Sequence, residues 1–283
     1  MKLLFDSFWR AAAYCLRPRV AILSLLPLLF IAVLSVGLGY LFWDAALDQV
    51  RGVLESSAFV NNGWKWLDRM GLGHIKTMLA PLVVIFAVTP VIVVVSLLVV
   101  ALLMTPLLVQ LVAQRRFPTL VMRRGASVWR SIVWSLGSTA AALLAIVVTI
   151  PLWFVPPLIL VLPPLIWGWL TYRVMAFDAL AAHASAEERR ILFLRHRVPL
   201  MGIGVISGYL GAAPSLVWAS GALFAAAFVF LVPLAIWIYT LVFAFASLWF
   251  THYCLAALQD LRAEALTVDA VAVGAQPVLA AVE

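Results

Sequence analysis

From Met78 to Ala113 the chain runs for 36 residues without a charged side chain, and from Ser131 to Tyr172 it does so for 42 more. Backbone in such runs has to satisfy its own hydrogen bonds, and the side chains need lipid or other apolar helices around them, because a soluble core of this size has no room for both. Two further runs, Val20 to Trp43 and Val198 to Thr251, are equally free of Asp, Glu, Lys and Arg. With 66% hydrophobic and 11% charged residues, the sequence reads as one polytopic membrane domain and nothing else.

The net charge of +7 points first toward nucleic acid, but the basic residues sit beside apolar runs instead of forming a polar domain of their own, so no nucleic-acid partner is expected. They act as topology signals. Residues 114–130 carry Arg115, Arg116, Arg123, Arg124 and Arg130 with no acid, and residues 173–198 add Arg173, Arg189, Arg190, Arg195 and Arg197. The 44–77 loop is balanced, with a turn signal at Asn61-Asn62-Gly63. The positive-inside rule then places both termini and the two basic loops in the cytoplasm, in a bacterial inner membrane, and the 44–77 loop outside. Cys15 and Cys254 fall on the cytoplasmic side as free thiols.

A signal peptide's apolar region is about 7 to 15 residues, whereas Val20 to Trp43 spans 24, so this first run is expected to stay as an anchor. Before it, Leu4, Phe5, Phe8, Trp9 and Ala12 recur at helical spacing, which predicts an amphipathic interfacial helix over 1–19. Pro18, between Arg17 and Arg19, suits the first turn of a helix and marks where the first membrane helix begins. The 78–113 run, about 54 Å long if helical, exceeds a bilayer core of about 30 Å and calls for tilt or projection.

Because 131–172 starts and ends on one side, it has to double back, and Pro151, Pro156 and Pro157 mark the turn. The 198–251 run is broken at Gly211 to Pro214 and at Pro233 and reads as a second hairpin, or as a short helix before two longer ones. The predicted fold is therefore an all-α polytopic membrane protein with two long transmembrane helices and two proline-broken hairpins, spanning or re-entrant. Its helical membrane domain covers 20–258, followed by a flexible tail over 259–283. Ser185 to Glu188 matches a capping box that opens a short basic helix.

No catalytic signature is present, and His74, His183, His196 and His252 lie in separate segments without ligand spacing, so neither an enzyme, a cofactor nor a metal site is expected. The absence of ionisable groups from the apolar runs argues against a proton relay at membrane depth. The residues able to meet a solute stand at the run ends. Arg17, Pro18 and Arg19 form either an anion site at a helix start or a topology and headgroup anchor. Trp167, Trp169, Tyr172 and Arg173 line either a mouth or an interfacial aromatic belt. The repeated Pro-Pro-Leu-Ile at 156–159 and 163–166 withdraws backbone donors, a feature tolerated inside a protein or beside water.

The basic-proline N-terminus ahead of Leu26 to Leu29, the long second apolar segment and the stretch from Leu162 to Asp178 with a downstream Arg195-His196-Arg197 resemble the CysZ-type sulfate permeases and the wider etoposide-induced-protein domain family, over roughly residues 5 to 220. The resemblance implies a helical membrane protein with re-entrant hairpins that forms a homo-oligomer around a sulfate path. The family's Gly-Leu-Arg motif with a further Arg, at the start of the first long helix, is replaced here by Arg19, Val20, Ala21 and Ile22, leaving Arg17 and Arg19 beside that position. Two functions follow as expectations: a permease for a small inorganic anion, with Arg17, Pro18, Arg19, Arg173 and Trp167 as its binding residues, or a membrane scaffold whose apolar grooves bind partner helices.

Overall fold

The computed structural model describes residues 2–56, 75–123, 126–212 and 221–279, so the Asn61-Asn62-Gly63 turn and the second half of the Gly211 to Pro214 break lie outside the described residues. Among the described residues there is no strand. The helices are α1 (Lys2–Cys15), α2 (Pro18–Ser24), α3 (Leu26–Ser56), α4 (Ile75–Arg116), α5 (Val128–Thr149), α6 (Pro156–Ala181), α7 (Ala186–Arg195), α8 (Arg197–Ala212) and α9 (Gly221–Leu279). Four described stretches are long and apolar enough to cross a membrane: Pro18–Gly52, Val83–Arg116, Trp129–Phe154 and Pro233–Thr267. The α7 and α8 pair, bent by 79° where they meet, is a possible fifth. The protein is an all-α polytopic membrane protein.

The prolines act where their chemistry dictates. α5 stops at Thr149, a 3-10 turn covers Ile150–Phe154, and Val155 takes extended angles (φ −96°, ψ 105°) before α6 restarts at Pro156. A residue preceding proline is driven out of the helical region, and a proline is well suited to a first helical turn, so one short segment both ends and begins a helix. Pro163 and Pro164, by contrast, are carried inside α6. The second Pro-Pro-Leu-Ile is thus helix interior although it repeats the sequence of a helix start.

Two compact units make up the chain. In the unit Leu25–Leu102, Leu47 of α3 and Val84 of α4 are buried together with Ala46 and Val50 against them. The other unit combines Met1–Ser24 with Leu103–Glu283 and holds the residues of interest. In it α1 packs on α9. Phe8 meets Phe245 and Trp249 edge-on, with centroids 5.4 and 5.0 Å apart, and Ala11 and Tyr14 are buried on the same face. The apolar residues of α1 are therefore divided between two environments: Phe8 points into the protein, while Phe5 and Trp9 stay 59% and 68% exposed. The indole of Trp237 on α9 donates to the Ser24 hydroxyl at 2.9 Å and pins α2 to the same helix.

α6 and α8 approach at backbone distance. A Cβ built on Gly168 lies 2.8 Å from the Val205 nitrogen, and one on Gly204 falls onto the Gly168 carbonyl oxygen, so only glycine fits at either position. Gly208, the other half of the Gly204 to Gly208 spacing, faces open space. At the start of α7, Ser185 and Glu188 close the capping box: the Glu188 amide donates to Ser185 Oγ at 3.1 Å and the Ser185 amide to Glu188 Oε2 at 2.7 Å. The same carboxylate accepts from Arg123 at 3.0 Å and from Arg262 Nε at 2.9 Å. Arg262 also donates to the carbonyls of Val121 and His183, at 2.9 and 2.7 Å. This node fastens the basic loop after α4 to α7 and α9.

Candidate anion-binding site

Helix α1 ends at Cys15 and α2 begins at Pro18, with Arg17 between them. The Arg17 carbonyl accepts from Val20 and Ala21 at 3.0 and 3.1 Å, so Arg17 is the residue that launches α2. That helix lasts seven residues, which limits the partial charge at its start, and the chemistry of the junction belongs to side chains. The Arg17 guanidinium lies over the Tyr14 ring, 3.8 Å from its centroid, and one of its terminal nitrogens, Nη1, is buried without a hydrogen-bond partner. Pro18 and Arg19 are exposed beside it.

Tyr14 also meets His252, fully buried on α9, whose ring lies edge-on to it with centroids 4.7 Å apart. Arg116, at the end of α4, approaches His252 Nδ1 at 3.1 Å through Nη1 and donates to Asp6 Oδ2 at 2.7 Å through Nη2. Arginine has only donors, so Nδ1 must accept and the imidazole proton sits on Nε2. Nε2 is itself buried without a partner. Two donors, Arg17 Nη1 and His252 Nε2, thus border one aromatic ring with no acceptor from the protein. Around them stand three guanidiniums, of Arg10, Arg17 and Arg116, against the single carboxylate of Asp6. The hydrogen bond from Arg10, reinforced by Arg116 against a modest desolvation, holds the Asp6 carboxyl below its ordinary value. The arrangement suits a small acceptor-rich anion: buried donors without acceptors are costly unless a ligand supplies them.

Arg173 and Trp167 stand elsewhere, on α6. The Arg173 guanidinium lies 3.9 Å from the Trp134 centroid and 5.4 Å from that of Trp169. The Trp134 indole donates to the Arg173 carbonyl at 3.0 Å and its ring stacks on Phe177 at 5.1 Å. These residues flank a cleft of about 240 Å³ between α5 and α6, lined among others by Arg130, Trp134, Gly137, Ser138, Trp169 and Arg173. Trp167 is 49% exposed and not part of that lining. The residues expected from the sequence therefore fall into two groups, Arg17 with Pro18 and Arg19, and Arg173 with Trp167 and Trp169 on α6, of which Trp169 and Arg173 line the cleft. Sequence reasoning did not single out His252, Tyr14 or Ser138. The nearest signal for His252 was its place directly after the uncharged run that ends at Thr251.

No curated protein and no solved structure matches the chain significantly. The family model described as sulfate transporter CysZ/etoposide-induced protein 2.4 matches residues 7–220. That range takes in the Arg17 junction, Arg116, both helices of the α5 and α6 hairpin and the α6 and α8 contact, about three quarters of the chain, and on it the protein belongs to the sulfate transporter CysZ/etoposide-induced protein 2.4 family.

Proposed function

We propose that this protein is a permease for a small inorganic anion, with sulfate the first candidate through its family, and that it captures the anion at the Arg17 junction. The observation that carries the reading is the pair of buried donors without acceptors, Arg17 Nη1 and His252 Nε2, in a setting with more guanidinium than carboxylate. An anion supplies acceptors of the kind these donors lack, and its capture involves no covalent step. Arg19, exposed next to Pro18, adds long-range attraction at the entrance. The apolar runs hold no carboxylate to relay protons, which favours passive or weakly coupled passage.

In this reading both termini and the basic loops 114–130 and 173–198 face the cytoplasm of a bacterial inner membrane, following the arginine distribution. The functional form is a homo-oligomer. The test is flux in proteoliposomes: purified protein should pass sulfate, sulfite or chloride, and Arg17→Gln should slow that flux. If the folded protein passes none of these ions and Arg17→Gln with Arg19→Gln has no consequence in cells, the scaffold reading replaces the permease one.

A further inference from the structure

We infer that the cleft between α5 and α6 holds the headgroup of an anionic phospholipid, with an acyl chain laid along α5. The site is separate from the Arg17 junction, and its argument does not depend on transport.

Four observations converge. Arg130 and Arg173 bring two cations to the cleft. Arg173 Nε and the hydroxyl of Ser138, a residue only 3% exposed, are buried beside the cleft without a hydrogen-bond partner, so its wall carries polar groups that the chain leaves unsatisfied. The carboxylate on the same helix pair, Asp178, already accepts from the Ser131 hydroxyl. A phosphodiester supplies acceptor oxygens and negative charge together.

The third observation is shape. Between Arg130 and Ala141, a rise of about 16 Å along α5, the lining turns from charged to apolar and small: a Cβ on Gly137 would meet nothing within 4 Å. A free inorganic ion needs the charged end and has no use for the remainder, whereas a lipid uses both. The fourth is location. Only 11% of the most apolar stretch of Trp129–Phe154 is covered by the rest of the chain, and Leu136, Leu144 and Val148 are 66%, 64% and 66% exposed, so this side of α5 meets hydrocarbon. Trp134 and Trp169 stand beside the arginines, as aromatic residues do at the level of headgroups.

The test is native mass spectrometry of the full chain with phosphatidylglycerol or phosphatidylcholine, with and without millimolar sulfate or inorganic phosphate. The expected result is retention of phosphatidylglycerol at least about tenfold over phosphatidylcholine, reduced to about twofold or less in Arg130→Gln/Arg173→Gln and unaffected by the inorganic ions. Gly137→Leu, which the backbone accommodates and which fills the cleft, lowers retention without altering charge and decides the matter if the double variant does not fold. Arg17→Gln keeps the preference. Equal retention of both lipids overturns the proposal, as does displacement of phosphatidylglycerol by the free ions, which assigns the cleft to an inorganic anion instead. Unchanged preference in both Gly137→Leu and the double variant also overturns it.

Discussion

Arginine is used in two opposite ways in this protein. At the start of α7 every nitrogen of the Arg262 guanidinium finds an acceptor, in Glu188 or in the carbonyls of Val121 and His183. At the Arg17 junction the guanidinium rests on an aromatic ring with Nη1 buried and unmatched, next to a histidine in the same condition. The contrast is one of satisfaction: a guanidinium met by its own chain holds loops and helices together, and one resting on a ring keeps a donor that its own chain leaves unmatched.

The largest effect should come from breaking the satisfied node. Glu188→Ala strips the acceptor from Arg123 and Arg262, both tied to the loop after α4, and should cost about 3 kcal/mol, seen as a lower melting temperature in detergent. At the junction the pattern inverts. Arg17→Gln removes an unmatched donor and a stack over Tyr14, so anion flux should fall about tenfold while stability changes by about 1 kcal/mol or less. A flux defect in Glu188→Ala larger than its loss of folded protein would blur the distinction.

A third comparison uses pH. The Asp6 carboxyl titrates below its unfolded value because Arg10 and Arg116 favour its charged form, so its contribution to stability is fully present above the unfolded value and is lost as the pH falls through the depressed one. With the side chain 42% exposed, screening limits the effect to about 0.5 kcal/mol, measurable as a difference in acid melting between the protein and Asp6→Asn. The smallest effect belongs to Arg195 and Glu264, an exposed pair with Nη2 and Oε1 2.9 Å apart. Arg195→Ala should leave both melting temperature and flux unchanged, and a clear loss of either would show that exposed arginines matter here too.

Much of this architecture was legible in the sequence because membrane physics leaves few options. The uncharged runs had to be helices, Pro151 and Pro156 had to bracket a turn, and Ser185 with Glu188 had to cap α7, since each of these depends on neighbours within a few residues. The Arg17 junction was half legible. Its arginines and Pro18 stand together in the chain, but Arg116 and His252 reach it from 99 and 235 positions further along the sequence, and no local pattern announces such a meeting. That Trp169 and not Trp167 lines the cleft with Arg173 follows from helical phase. Trp169 is four residues before Arg173 and shares its face, whereas Trp167 is six before and turned away from it. The double proline in α6 misleads for the opposite reason: the motif is local, but packing overrides it.

The account stands or falls on what fills the buried donors at the Arg17 junction, and selenate, a sulfate mimic with an anomalous signal, locates an anion directly. Crystals of the protein grown with selenate should show an anomalous peak within hydrogen-bond distance of Arg17 Nη1 or His252 Nε2, absent in Arg17→Gln. A structure in which those nitrogens meet protein or water acceptors, with selenate nowhere near them, would contradict it.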